Sequence, residues 1–190
     1  MTTATPDIFT NVHKGIRYAL FEACRALGRA GMDSERGDSA RAQLRSALRF
    51  VEHHGDNEGQ LLVPALDAHA PELAKRLLAA HAPLQAALRA LAASVNVAPM
   101  HALYLQTCQF LGQYLEHMDE EERELEPAIR AALSADELTA FGRRAVERTL
   151  PDDQRMMLGW MLPAMTRVDV EVFLARLPPE LADELRSRAG

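Results

Sequence analysis

The chain has little from which a sheet, a membrane span or a disulfide framework could be made. No stretch alternates apolar and polar residues for long, and Val/Ile-rich runs between turn signals are missing, so strands are not expected. No apolar run approaches the roughly 20 residues that a membrane span needs. The first residues, "MTTATPDIFTNVHKG", lack an apolar stretch behind basic residues, so no signal peptide is read and a cytoplasmic protein is expected. Cysteine occurs only twice, as Cys24 and Cys108, with no C-x-x-C pair. A zinc or redox signature of that kind is thereby excluded, and two buried free thiols in a reducing cytosol are expected. Basic clusters are missing too: Lys and Arg number 21 against 27 Asp and Glu, a formal charge of −6. Nucleic acid is not an expected partner on electrostatic grounds.

What is abundant is Ala, Leu, Arg and Glu, a composition that favours helix throughout. The 190 residues suit one domain, or one domain with a helical extension. Four long amphipathic segments are predicted as helices. The first runs from about Pro6 to Ala30 and ends in the Gly/Ser/Asp loop "GRAGMDSERGDS"; the second runs from about Ser39 to Ala68. The third starts near Pro71, a good first-turn proline, and ends before "SVNVAP"; the fourth covers about Pro99 to Leu133. The reading is an all-α, up-down-up-down four-helix bundle over residues 5–133, with a C-terminal helical extension over 134–190.

Each segment has an inward seam with spacings of three and four, as bundle packing requires. A histidine falls in every seam: His13, His54, His81 and His117. Two seams add a glutamate one turn later, Glu58 and Glu121. At ~1.5 Å per residue, His13 and His54 both lie ~25 Å from the turn joining their helices. Glu58 and His81 are likewise matched across the next turn, whereas His81 and His117 differ by ~6 Å, one helical turn. Four imidazoles and two carboxylates thus converge on one interior spot. His69 and His101 lie more than ~20 Å along their helices from it and read as surface or helix-end residues.

An internal echo supports the grouping. "HGDNEGQLLVPA" from His54 and "HMDEEERELEPA" from His117 share H-x3-E-x5-P-A without gaps. Burying two carboxylates and four imidazoles without a partner would cost several kcal/mol per charge. A bound metal removes that cost, and mixed His/carboxylate donors suit iron, manganese or zinc. Because Glu at i+4 shares a face with its His, the carboxylate can bridge adjacent metals.

With "VHKGIR", "HHGDNEGQLLVPAL", "AAHAPL" and "YLEHMDEEERELEPAI" in this order, the chain resembles the hemerythrin-like, HHE cation-binding family over about Asp7 to Leu133. The resemblance implies a four-helix bundle around two irons, oxo- or hydroxo-bridged. It implies His13, His54, Glu58, His81, His117 and Glu121 as metal ligands. Oxygen-carrying hemerythrins have a fifth histidine from an H-x3-H pair on the third helix, where Gln85 stands here. They also use a carboxylate five residues after the last His, which Glu122 matches; Glu121 keeps the seam and the repeat and is preferred. His53 rivals His54 but lies about 100° off the seam. Ferritin-like bundles need Glu-x-x-His pairs, and the sequence has none.

Two octahedral irons need about twelve bonds, and four His, two bridging carboxylates and one bridge supply about ten. About two positions stay open on that count. A protein that binds or senses O2 or NO is the expectation. The alternatives are an oxidoreductase that consumes peroxide or NO, or a helical interaction module with an empty or mononuclear site.

The remaining acids of "DEEEREL" read as a solvated face, and Tyr18 and Tyr114 as neighbours of the ligands or core residues. Pro64, Pro83 and Pro127 predict bends in the second, third and fourth helices. Beyond Leu133, "SADE" is a capping box opening a helix to about Thr149, and "LPDDQRMMLGWMLPAM", "TRVDVEVFLARL" and "PPELADELRSRAG" read as further short helices. The apolar patch of Met156, Met157, Leu158, Trp160, Met161 and Met165 is expected to pack on the bundle, with a homodimer or partner surface as the alternative.

Overall fold

The computed structural model describes residues 7–31, 34–175 and 182, and none of these lies in a strand. Helix α1 spans Thr10–Ala30 and α2 spans Ser34–Asn57; a π-turn, Glu58–Leu62, joins α2 to α3, Val63–His69. Helix α4 spans Pro71–Ser94. The fourth rod is α5, Met100–Glu120, a second π-turn, Glu121–Leu125, and α6, Glu126–Ala132. Helix α1 packs on α2 and α5, and α4 packs on α2, α3 and α5, closing a four-rod bundle. Among the described residues, no helix is long and apolar enough to cross a membrane.

Two boundaries differ from expectation. The second rod begins at Ser34, five residues before the predicted start. Gly31, with φ at 55°, follows the end of α1; Met32 and Asp33 lie outside the described residues. The turn-forming Gly37, Asp38 and Ser39 are absorbed into helix because Ala40 and Leu44, just behind them, are buried in the core. Packing of that kind overrides local preference. Helix α1 starts at Thr10, where both carboxylate oxygens of Asp7 accept from the Thr10 and Asn11 amides at 2.9 Å. Pro6 lies outside the described residues.

The prolines act through their surroundings. Pro64 and Pro127 each follow a π-turn that opens on a seam glutamate, Glu58 or Glu121. In each case the residue before the proline bonds back five positions: the Val63 amide to Glu58 and the Glu126 amide to Glu121. Proline has no N–H and crowds the carbonyl four residues back, and the wider turn accommodates both defects. Pro83 lies inside α4, which runs through it unbroken.

The one-turn mismatch between the third and fourth rods is also resolved. After α4, the Val97 and Ala98 amides bond to the Ser94 carbonyl, adding a turn before Pro99. That turn supplies the rise by which His81 would otherwise fall short of His117, and their ring centroids are 5.0 Å apart.

The apolar interior forms two clusters at opposite ends of the bundle. One is centred on Ile16, Leu20, Leu44, Phe50, Leu103 and Phe110; the other on Phe9, Leu62, Leu66, Leu77, Leu125 and Ile129. Each fully buried Leu, Ile or Phe contributes about 1.5–3 kcal/mol, so the layer between them is held from both sides. Cys24 and Cys108 are free thiols whose sulfurs meet at 4.0 Å across α1 and α5. Cys108 is half-buried rather than buried, because it lies at the margin of the core. Burial, then the neighbouring Cys108, pushes the Cys24 thiol up to about 12.

Ser134 and Glu137 form the expected capping box at the start of α7, Ala135–Arg148. Leu138 and Phe141 join the second cluster, and Arg148 donates to Gln60 at 2.5 Å beside the first π-turn. Helix α8, Pro151–Met161, and α9, Arg167–Leu174, follow. Met161 is buried in the first cluster, and Met156, Met157, Trp160 and Met165 pack against it. Trp160 donates from Nε1 to Ser46 Oγ at 2.9 Å and meets Tyr18 at 5.9 Å. Leu158 turns instead toward Leu174 and Ala182. Gly15 allows this docking: a Cβ there would lie 2.7 Å from Met161 Cγ and 3.0 Å from its Cα. Apart from Ala182, "PPELADELRSRAG" lies outside the described residues.

Candidate metal centre

Between the two apolar clusters, six polar side chains from all four rods face one another. His13 comes from α1, His54 from α2, His81 from α4 and His117 from α5, while Glu58 and Glu121 open the π-turns. All six are buried, Glu121 at 0% and Glu58 at 1% exposure.

The histidines form two pairs. His13 and His54 have Nε2 atoms 3.0 Å apart, and His81 faces His117 across 5.0 Å between ring centroids. The glutamates join the pairs. Glu58 places Oε1 3.3 Å from His54 Nε2 and Oε2 3.2 Å from His81 Nε2. Glu121 places Oε2 3.3 Å from His13 Nε2, and Oε1 3.2 Å from His81 Nε2 and 3.0 Å from His117 Nε2. Each carboxylate therefore offers one oxygen to each pair.

The donor set suits metal ions. Ligands at about 2.0–2.1 Å from an ion stand about 3 Å apart when adjacent, close to the separations seen here. Two groups fall within reach of a common ion: His13, His54, Glu58 and Glu121, and separately His81, His117 and Glu121. Both oxygens of Glu58 and Oε2 of Glu121 are buried, met by nothing better than imidazole nitrogens at 3.2–3.3 Å in poor hydrogen-bond geometry. Such atoms are costly to bury unpaired. A cation between the pairs would satisfy them.

Protons meet part of that demand. Burial disfavours charge on His13, but hydrogen bonds to Glu121 and Glu122, with the Glu121 and Glu58 charges, lift it to about 9. The same contest raises His81 to about 10, through Glu121 and Glu58. Burial, opposed by Glu58 and reinforced by His13, draws His54 down to about 4. Glu121 is also penalised by burial, yet the hydrogen bonds from His117, His13 and His81 hold it well below the usual carboxylate range. His13 and His81 are thus shifted toward their protonated forms beside the Glu121 carboxylate.

Glu122 lies outside the cluster. Its Oε1 accepts from His13 Nδ1 at 2.9 Å and from Arg17 Nη1 at 2.6 Å. The His13 hydrogen bond, with Arg17 beyond the cost of burial, holds it at about 2. The expectation of a solvated acidic face is therefore wrong for Glu122, which orients a histidine from behind. Its neighbours are mostly paired as well: Glu120 and Glu124 with Arg76, Asp119 with Arg123, Glu126 with Arg130. The sequence signal was the carboxylate at i+5, whose partner lies on another helix.

The rival histidine, His53, points elsewhere. Its Nε2 is 3.0 Å from Asp153 Oδ2, and Arg49 Nε reaches the other oxygen of Asp153 at 2.6 Å. The pair ties α8 to α2. His69 bonds to Glu137 at 2.9 Å at a helix end, and His101 stacks on Tyr104. Tyr18 contacts Trp160 rather than the cluster. Tyr114 is buried with its ring 5.5 Å from His117, and burial, then the Glu58 and Glu121 charges, raises its hydroxyl pKa.

A helical bundle with mixed imidazole and carboxylate donors converging from four helices defines an intrabundle metal-binding protein. The profile of the Hemerythrin HHE cation binding domain matches residues 5–129, and the chain belongs to that family. Comparison with curated proteins and with solved structures gave no match.

Proposed function

We propose that this chain holds two irons, one between His13 and His54 and one between His81 and His117, and binds or senses a small ligand such as O2 or NO there. The observation that carries this reading is the sharing of Glu58 and Glu121, each presenting one oxygen to each histidine pair. When bound, an iron pair supplies a change of oxidation state and free coordination positions for a small molecule. The protein's part is to orient and to exclude. Glu122 holds the His13 ring through Nδ1, which directs Nε2 inward. Phe9 stacks on His13 at 5.1 Å and meets His54 edge-on at 6.4 Å, so it keeps water from that half. Four imidazoles and two carboxylates suit iron; the same donors accept manganese or zinc.

Metal analysis of protein purified without chelators, with absorption spectra under air, under nitrogen and with NO, tests the reading. About two irons per chain and near-ultraviolet charge-transfer bands that respond to the gas are expected. Iron near zero that cannot be restored would leave a helical interaction module. Steady consumption of NO or peroxide, abolished by His54→Ala, would make the protein an oxidoreductase at the same centre.

A further inference from the structure

The two histidine pairs have different neighbours, although His54 and His81 are each 5% exposed. Phe9, itself 0% exposed, covers the His13–His54 half. His81 and His117 instead line a cleft of about 150 Å³ between α2 and α4. Gly55, Glu52 and Asp56 stand on its α2 wall, Gln85 and Arg89 on its α4 wall, and Tyr114 beside His117. His13 and His54 do not reach it. Glu52, Asp56, Leu88 and Arg89 also border a wider groove of about 560 Å³ that continues between the same helices to Asp153. The wider groove and the smaller cleft thus share a rim, and two histidines line the smaller one. His81, 5% exposed, has a buried Nδ1 without a partner.

We propose that this cleft is the port through which a small uncharged ligand reaches the centre, that the ligand binds on the His81–His117 half, and that Gly55 keeps the port open. The proposal rests on the iron-binding reading above. Size limits the ligand: pockets for drug-sized molecules run to about 300–1,000 Å³, whereas this one has room for a few water-sized molecules. Charge limits it too. Glu52 and Asp56 face Arg89 in the cleft, and Arg45 and Arg49 stand with Asp153 in the outer groove, so carboxylates and guanidiniums balance and an ion of neither sign is drawn in. On the α4 wall, Gln85 stands one turn from His81 and lines the cleft beside it. On the opposite wall, a Cβ built at Gly55 meets nothing within 4 Å, so a larger side chain there extends into the cleft.

The test is the rate of NO association with the iron-loaded, reduced protein, followed by stopped-flow absorption. Gly55→Leu is expected to slow association by about tenfold or more, because the ligand must wait for the plug to move. Gln85→Phe, which obstructs the port from α4, is expected to do the same. Gly142→Leu on α7, where a Cβ also meets nothing within 4 Å, is the control and should match the wild type. Iron content and circular dichroism are measured for each variant, and if Gly55→Leu does not load iron, Gln85→Phe decides. Wild-type rates in the loaded plug variants, or equal slowing in the control, overturn the port. A wild-type protein that takes up no iron overturns the reading beneath it, a separate result.

Discussion

Glu122 Oε1 lies 2.9 Å from His13 Nδ1, while the adjacent Glu121 presents Oε2 to the other nitrogen of the same ring at 3.3 Å. Consecutive residues thus grip one imidazole from both sides, the first inside the centre and the second behind it. Glu122→Gln keeps the shape but loses the charge that orients and enriches the ring. Outer partners of metal-bound histidines are worth about 10–100-fold in metal affinity, and a loss in that range is expected by chelator competition. Helix content should be unchanged. A variant that holds metal as tightly as the wild type would show that Glu122 serves only Arg17.

Single ligand substitutions should divide the centre unequally. His117 meets one of the two carboxylates, Glu121, and its loss opens one half, so His117→Ala should lower iron from about two to about one per chain. Glu121 faces His13, His81 and His117, so Glu121→Ala should strip both halves. Iron analysis after gel filtration distinguishes these outcomes. Equal retention in the two variants would refute the sharing.

The metal-free protein should be most stable at about pH 6. His13 and His81 are raised above the ordinary 6.5, to about 9 and about 10, so the stability they add is complete below 6.5 and is lost as pH rises through 9 and 10. His54 is lowered from 6.5 to about 4, so its contribution is present above 6.5 and is lost as pH falls toward 4. Glu121 and Glu122, both depressed from 4.5, act in the same direction as His54 on the acid side. Thermal unfolding of chelator-treated protein from pH 4 to pH 10 checks this. A melting temperature that climbs steadily to pH 9 would contradict it. Metal takes the place of the imidazole protons, so the loaded protein should lose less stability on the alkaline side.

Two glycines in helices should answer alanine in opposite ways. At Gly15 a Cβ would press on Met161 at 2.7 and 3.0 Å and on Phe50 at 3.1 Å, so Gly15→Ala should cost about 1–3 kcal/mol by overpacking. At Gly55 nothing lies within 4 Å, so Gly55→Ala should gain about 0.5–1 kcal/mol from helix propensity. Denaturant melts of the two variants measure both. A neutral Gly15→Ala would mean that α8 does not sit against α1 as closely as described.

The sequence alone determined the helical class, the four rods, the seam histidines and the H-x3-E pairs, because these follow from a repeat of 3.6 residues within one segment. It also carried the Ser134 cap, a contact over three residues. Tertiary packing decided what lies between segments. The turn at Val95–Ala98 brought His81 level with His117, and the contacts across helices chose which oxygen of Glu58 and Glu121 meets which ring. The π-turns at both glutamates arose where a proline had to be accommodated beside a buried residue. Glu122 under His13, Asp153 on His53, the sulfurs of Cys24 and Cys108 in contact, and the cleft at Gly55 were likewise settled only by the assembled bundle. Periodicity states which side of a helix a residue occupies, but only the neighbouring helix states what it meets there.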